Sequence, residues 1–190
     1  MNSKSSLDII ASLDDPQLFK PWFSGGTWDA WRVILKGIYA LPISEEEKAF
    51  FRVVAERDPP KEPVKEVVII AGRRGGKDSV ASLIGAHSAA SSATGQACDL
   101  ASGASACDRD QAKIVLNYTR SYLTEIPLLQ GMVQKETQYG FELTNSIDIS
   151  VATNSFRSVR GRPILCAILD EVAYWVTITP PIPTRKFTMR

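Results

Sequence analysis

The sequence predicts an α/β domain, with a mainly parallel sheet flanked by helices and a helical segment in front of it. Residues 66–71 form a β-branched run that leads directly into a glycine-rich turn and a helix-compatible stretch. Residues 164–169 form a continuous apolar run, which is typical of a strand buried on both faces. Much of residues 1–58 shows helical spacing of apolar side chains.

Composition narrows the classes of protein to which the chain can belong. Its net charge of +1 gives no global basic field, so any DNA contact must come from local patches or from a part of the protein outside this chain. Three cysteines without C-x-x-C spacing predict reduced thiols, and a single histidine argues against a metal cluster. The N-terminus does not resemble a signal peptide, and the apolar runs are far shorter than the ~20 residues of a membrane span.

The N-terminal segment is predicted to hold two helices. Ser44, followed by three glutamates, predicts the capped start of the second helix, and the proline-rich residues 58–63 end it. The first helix has an aromatic and aliphatic face that comprises Trp28, Trp31, Leu35 and Ile38.

Further elements follow the glycine-rich turn. Residues 79–90 and 109–126 are predicted helices, the latter with Ile114, Val115, Tyr118 and Tyr122 on one face. Alternating apolar residues predict a hairpin over residues 139–152. Small residues dominate residues 88–107, so no good strand is predicted where such a domain would place its next one.

The glycine-rich turn reads Ala-Gly-Arg-Arg-Gly-Gly-Lys-Asp-Ser and approximates the phosphate-loop pattern G-x-x-x-x-G-K-[ST]. Ala71 replaces the first glycine, and Asp78 stands where Ser or Thr is usual. Small residues let backbone N–H groups surround phosphate oxygens, and the following helix adds its positive end. A glycine-rich loop with a surface lysine is the alternative. The predicted nucleotide-binding residues are Gly72, Arg74, Gly75, Gly76, Lys77, Asp78 and Ser79.

Two acids, Asp170 and Glu171, follow the apolar run at residues 164–169. Beside a phosphate loop, Asp170 is predicted to hold Mg²⁺ and Glu171 to orient the water that attacks the γ-phosphate. Asp78 binds the same ion directly, or Ser79 replaces it; the sequence does not choose between them. An ordinary pair of acids at a strand end is the alternative. Together with the loop, the pair predicts an enzyme that hydrolyses ATP with Mg²⁺.

Several stretches resemble the large terminase subunits of bacteriophages, which are DNA-packaging ATPases. The Arg-Arg-Gly-Gly-Lys sequence after residues 66–71 is similar to their Walker A motif, and Asp170-Glu171 to their Walker B acids. The resemblance covers nearly all of the chain except residues 88–107 and 176–190. Its other matching stretches are residues 18–23, 108–112, 158–161 and 172–175, together with Trp28, Trp31 and residues 41–42.

This resemblance implies the P-loop NTPase fold of the additional-strand, catalytic-glutamate type, in an incomplete form. It divides the chain into a helical segment and linker (1–62), an ATPase core (63–175) and an anomalous tail (176–190). Lys77 becomes the lysine that holds the phosphates, and Glu171 becomes the catalytic acid. The third predicted catalytic residue is Arg73, which the resemblance implies to be a sensing or finger residue on the γ-phosphate. Arg74 either shares this role or faces solvent.

The resemblance also implies a biological setting. The intact protein is expected to couple ATP hydrolysis to the packaging of double-stranded DNA into a procapsid, in the host bacterial cytoplasm and transiently at the portal. Its implied partners are double-stranded DNA, the portal protein, a small terminase subunit and further copies of itself in a ring, with no membrane. A basic loop formed by Arg157, Arg160 and Arg162 lies near nucleotide or DNA, or is simply solvated.

The chain also departs from this family. Nothing after Glu171 offers the acids of a nuclease domain, and residues 176–190 lack the expected coupling motif. Loss of one nucleotide after the Trp175 codon would produce this tail, so we expect it to be a frameshift product, and residues 88–107 to share such an origin. A truncated, non-catalytic remnant that at most binds nucleotide, and a helicase-like P-loop ATPase, are therefore the alternative functions.

Adenine recognition is left open by the sequence. Three tryptophans of the N-terminal segment have the flat rings that stack on a base, but we expect core packing instead. They are Trp22, Trp28 and Trp31.

Overall fold

A computed structural model describes residues 7–92, 97–102, 109–152 and 163–170. These residues form an α/β structure in which helices pack on a sheet, as the sequence predicts. The sheet is mixed, however, and not mainly parallel as predicted, because two of its four strand pairs are antiparallel. Of the helices in these ranges, none has the length and apolar character to cross a membrane. The helices are α1 (Ile9–Asp14), α2 (Asp29–Ile38), α3 (Glu45–Ala55), α4 (Lys77–Ser91), α5 (Arg109–Glu125) and α6 (Pro127–Gln130).

The predicted cap of α3 is confirmed. The Ser44 hydroxyl accepts a hydrogen bond from the Glu47 backbone N–H at 3.2 Å, and the Glu47 carboxylate accepts one from the Ser44 N–H at 2.9 Å. This reciprocal arrangement satisfies two donors that the first turn of a helix leaves without partners. Loss of such a cap costs about 1 kcal/mol. The start of α3 is therefore determined by local sequence.

The sheet has five strands in the order β2-β3-β4-β1-β5. The predicted hairpin is confirmed as the antiparallel pair β3–β4, with Phe141 opposite Ile149. Strand β2 pairs antiparallel with β3, whereas β1 is parallel to both β4 and β5. The strands are β1 (Ala97–Ser102), β2 (Val133–Thr137), β3 (Gly140–Leu143), β4 (Asp148–Ala152) and β5 (Ile164–Asp170).

Residues 164–169 form a strand as predicted, but that strand is not buried on both faces. It is β5, at the edge of the described sheet, and its Ile164 and Leu169 are 39% and 53% exposed.

Two further predictions about strands are wrong. Residues 97–102 form β1 although their composition is poor for a strand. They pair with β4 on one side and β5 on the other, and this pairing stabilises the strand despite its low strand propensity. Residues 66–71 have the composition of a strand but pair with none of the described strands. In this segment Val68 and Ile70 are 82% and 98% exposed. Strand propensity alone does not form a strand without a partner edge.

A single hydrophobic cluster joins the N-terminal segment to α4, α5 and the sheet. Tyr122 of α5 is fully buried in this cluster, with the rings of Phe19 and Trp22 edge-on to it at 5.3 and 5.6 Å between centroids. Burial raises the pKa of the Tyr122 phenol, so the group stays protonated at neutral pH. Its hydroxyl donates to the carbonyl of Ser79 in α4 at 3.2 Å.

The buried face of α5 differs in part from the predicted one. Val115 and Tyr122 are buried as expected, but Ile114 and Tyr118 are 45% and 41% exposed. The helix is rotated so that a polar residue, Thr119, lies on the buried face, where its hydroxyl donates to the Val115 carbonyl at 2.9 Å. This bond satisfies the hydroxyl inside the helix, so burying it does not leave a donor without a partner.

His87 lies on α4 against the beginning of the described chain. Its Nε2 donates to the Leu7 carbonyl at 3.0 Å, and its ring stands edge-on to Tyr39 at 6.2 Å. Burial lowers the pKa of His87, although the bond to Leu7 and the charge of Asp8 act in the opposite direction. The folded protein therefore holds this imidazole in its neutral form at neutral pH.

We expect the free energy of unfolding to carry a contribution from His87 that depends on pH. The pKa is lower in the folded state than its ordinary value of 6.5, so the unfolded state binds more protons below that pH. The contribution is complete above pH 6.5, declines as pH falls below it, and levels off once His87 protonates in the folded state as well. Urea denaturation between about pH 7.5 and 5 measures this change.

The matched control is His87→Gln, which removes the only histidine of the chain. Carboxyl groups contribute equally in both proteins, so the difference between the two pH profiles isolates the imidazole. Profiles that run parallel over the whole range would contradict the assignment.

Candidate phosphate-binding site

The glycine-rich sequence forms a tight turn that leads directly into α4. The Gly75 N–H donates to the Gly72 carbonyl at 3.1 Å, which closes the turn. Arg74 and Gly76 both have left-handed backbones, with φ of +63° and +76°. This conformation is free of strain for glycine but costs about 1 kcal/mol at a residue with a Cβ atom. The turn therefore holds Arg74 in a conformation that its side chain disfavours.

The beginning of α4 presents backbone donors at the end of this turn. Gly76 is the N-cap residue and has no side chain to fill the cap position. The Val80 N–H makes the first helical hydrogen bond, to the Gly76 carbonyl at 3.1 Å, so the amides of residues 77–79 precede the helical series. Such N–H groups, together with the positive end of the helix dipole, favour an anion. The turn and the start of α4 therefore match two parts of the predicted phosphate loop, whereas the strand expected before them does not form.

Charge in the loop is predominantly positive but internally paired. Arg73 and Arg74 are exposed at the tip of the turn. The Lys77 ammonium lies 3.1 Å from a carboxylate oxygen of Asp78, and both side chains are about 30% exposed. A partly exposed pair of this kind contributes roughly 0–1 kcal/mol to stability. Asp78 therefore competes with any phosphate group for Lys77.

Two hydrogen bonds from buried aromatic residues hold the loop and the first turn of α4. The indole Nε1 of Trp31 in α2 donates to the Gly75 carbonyl at 2.7 Å. The Tyr122 hydroxyl of α5 donates to the Ser79 carbonyl at 3.2 Å. Since both donors belong to the hydrophobic core, the position of the loop is tied to the packing of the N-terminal segment and of α5.

The structure brings part of the predicted site together. Residues 72–79 lie in one continuous turn and helix start. Asp170 is the last residue of β5, a strand that packs against α4. Four other predicted site residues lie outside the described residues: Arg157, Arg160, Arg162 and Glu171.

The tryptophans of the N-terminal segment pack in the core, as expected. Trp31 is 9% exposed, Trp22 stands edge-on to Tyr122, and Trp28 stands edge-on to Phe23 at 4.7 Å between centroids. The hydrogen bond from Trp31 to the Gly75 carbonyl in the candidate site was not predicted from the sequence. The signal that would have found it is general: a buried indole N–H needs an acceptor.

The ranges that the structure describes contain no group of three or more His, Cys, Asp or Glu residues placed to hold a metal ion. No protein-family model matches the chain, and no curated protein matches it either.

We predict that Asp78→Ser strengthens the binding of ATP measured in EDTA, without Mg²⁺. The substitution removes a carboxylate that both repels phosphate and occupies Lys77. Two charges 4 Å apart in water interact by about 1 kcal/mol, which corresponds to about fivefold in Kd. Isothermal titration calorimetry of both proteins gives the ratio.

Asp148→Ser is the control for this experiment. It removes the same charge at the beginning of β4, the opposite end of the parallel strands from Asp170. Equal or weaker ATP binding by Asp78→Ser, relative to this control, would show that the carboxylate does not oppose the ligand.

Proposed function

We propose that this chain is the ATP-hydrolysing part of a phage terminase large subunit, which couples ATP hydrolysis to the packaging of double-stranded DNA. One observation carries the proposal: the closed turn at residues 72–76 runs directly into the N-terminus of α4, with Lys77 in the first helical turn. The acid pair at residues 170–171, at and after the end of β5, is the second support. The surrounding sequence resembles large terminase subunits, and this resemblance favours a terminase over other P-loop ATPases.

The fold proposed with this function is the P-loop NTPase fold of the additional-strand, catalytic-glutamate type. Three parallel strands in the order β4-β1-β5, and the packing of α4 against β5, support it. The exposed segment at residues 66–71 counts against a complete sheet of this kind.

In the proposed reaction, the loop amides and Lys77 hold the outer phosphates of ATP. Mg²⁺ neutralises phosphate charge when bound, and the oxygen donors that fit this hard cation are Asp170 with either Asp78 or Ser79. Glu171 orients the attacking water and accepts its proton. The exposed arginines at the tip of the turn, Arg73 and Arg74, stabilise charge that develops on the γ-phosphate.

The proposed setting follows from the same resemblance. The partners are double-stranded DNA, a portal protein, a small terminase subunit and further copies of this chain in a ring. The proposed location is the host bacterial cytoplasm, with transient attachment at the procapsid portal.

A second candidate is a non-catalytic terminase remnant that at most binds nucleotide. The pairing of Lys77 with Asp78 favours it, because a working phosphate loop keeps its lysine available for the ligand. The exposure of residues 66–71 favours it as well, since an ATPase sheet buries the strand before its loop. Only the first candidate hydrolyses ATP, so a chain that binds ATP is assigned by measuring hydrolysis.

We predict that the purified chain binds Mg·ATP and that Lys77→Ala weakens the binding at least about tenfold, because a lysine ammonium on the outer phosphates is worth more than 1.4 kcal/mol. Isothermal titration calorimetry measures both affinities. Lys135→Ala removes an exposed lysine of β2 and should bind like the wild type. A folded wild type that does not bind Mg·ATP would contradict the proposed ATPase and leave only the remnant.

We predict further that Glu171→Gln still binds Mg·ATP but releases phosphate about 10²–10⁴-fold more slowly than the wild type. This factor is the usual contribution of general base catalysis to the rate. The substitution keeps the shape and polarity of the side chain and removes only its ability to accept a proton. Release of inorganic phosphate under saturating ATP measures the effect. A wild type that binds but releases no phosphate above the rate of the variant would favour the remnant.

A further inference from the structure

We propose that Trp31 is a positioning residue that sets the direction of a phosphate-binding N–H group in the loop. The inference rests on the proposed function and goes beyond it, because it gives the N-terminal helical segment a role in ligand binding. Trp31 belongs to α2, 44 residues before Gly75, and its indole N–H donates to the Gly75 carbonyl at 2.7 Å. This bond connects the segment to the turn itself and not only to the core beneath it.

Because the peptide bond is planar, the hydrogen bond from Trp31 to the Gly75 carbonyl also determines the direction of the Gly76 N–H. The described residues contain no cis peptide bond, and in a trans peptide the carbonyl of one residue and the N–H of the next point in opposite directions. With the Gly75 carbonyl directed at the indole, the Gly76 N–H must point away from it. The hydrogen bond to the Gly75 carbonyl therefore fixes the direction of the Gly76 N–H, which lies on the opposite side of the chain from Trp31.

This peptide needs an external restraint because glycines stand on both sides of it. Rotation of a peptide plane is opposed mainly by the Cβ atoms of its two flanking residues, and neither Gly75 nor Gly76 has one. The plane can therefore turn over at little steric cost. The donor on Trp31 selects one of the two orientations.

Trp28 restrains the same peptide by packing. A Cβ atom built on Gly76 would lie 2.7 Å from the ring of Trp28 and 3.6 Å from the Nε1 atom of Trp31. The two indoles therefore occupy the space on one side of Gly76, and its left-handed φ of +76° fits this close approach. Both tryptophans come from one short stretch of the N-terminal segment, so its docking and the shape of the loop are coupled.

The test is the affinity of the full chain for Mg·ATP after Trp31→Phe. Phenylalanine keeps an aromatic ring in the core and removes the donor. We expect Kd to rise about five- to tenfold, the usual effect of losing one hydrogen bond. Trp22→Phe is the matched control, because Trp22 packs edge-on to Tyr122 in the same segment. It should bind Mg·ATP like the wild type.

A second variant separates positioning from packing. Replacing Trp31 with 3-benzothienylalanine exchanges the indole N–H for sulfur and leaves the shape of the ring almost unchanged, so the fold is kept even if Trp31→Phe unfolds. If the N–H acts as proposed, this protein binds Mg·ATP as weakly as Trp31→Phe while melting, without ligand, at the wild-type temperature. Wild-type affinity in the sulfur variant would overturn the proposal and leave Trp31 as a packing residue.

Different results would overturn the proposed function and the positioning role of Trp31. If the folded wild type does not bind Mg·ATP, both are overturned. If the wild type binds, Lys77→Ala loses binding and the two Trp31 variants bind normally, only the positioning role is overturned.

Discussion

The packing of aromatic rings around Tyr122 is the interaction on which the rest of the structure depends. Tyr122 belongs to α5, its ring is enclosed by Phe19 and Trp22 of the N-terminal segment, and its hydroxyl reaches the Ser79 carbonyl in α4. Three parts of the chain that are distant in sequence therefore meet at one side chain. Aromatic pairs in this edge-on geometry contribute roughly 0.5–1.5 kcal/mol each beyond the area that they bury. This cluster is therefore one of the contacts that hold the N-terminal segment where Trp31 reaches the loop.

The loop combines a backbone suited to an anion with side chains that partly oppose one another. Its turn and the start of α4 supply amides and a positive helix end, and Arg73 and Arg74 add exposed positive charge. Asp78 reduces that field by pairing with Lys77. An aspartate at the position where Ser or Thr is usual also changes how a cation would be held, because a carboxylate binds Mg²⁺ more strongly than a hydroxyl does. The balance between these effects decides whether the loop supports turnover or only binding.

Local signals predicted some elements well, and contacts distant in sequence decided the rest. The cap of α3 lies within four residues, so Ser44 and the acids after it were enough to place the helix start. Strand β1 depends on partners far along the chain, and its own composition gave no sign of it. Residues 66–71 show the converse, since β-branched residues did not make a strand. In the candidate site, local sequence predicted the turn and the helix after it, whereas the bond from Trp31 links residues that no local pattern relates.

The central claim is that the backbone amides at the start of α4 bind phosphate, and NMR of the uniformly ¹⁵N-labelled chain tests it most directly. Inorganic pyrophosphate is the probe, because it carries the phosphate chemistry of ATP without the base or the sugar. We predict that the amide protons of Gly76 and Lys77 shift downfield and exchange more slowly with solvent, while the resonance of the Gly140 amide in the β2–β3 hairpin does not shift. Unchanged amides throughout residues 72–79 at saturating pyrophosphate would contradict it.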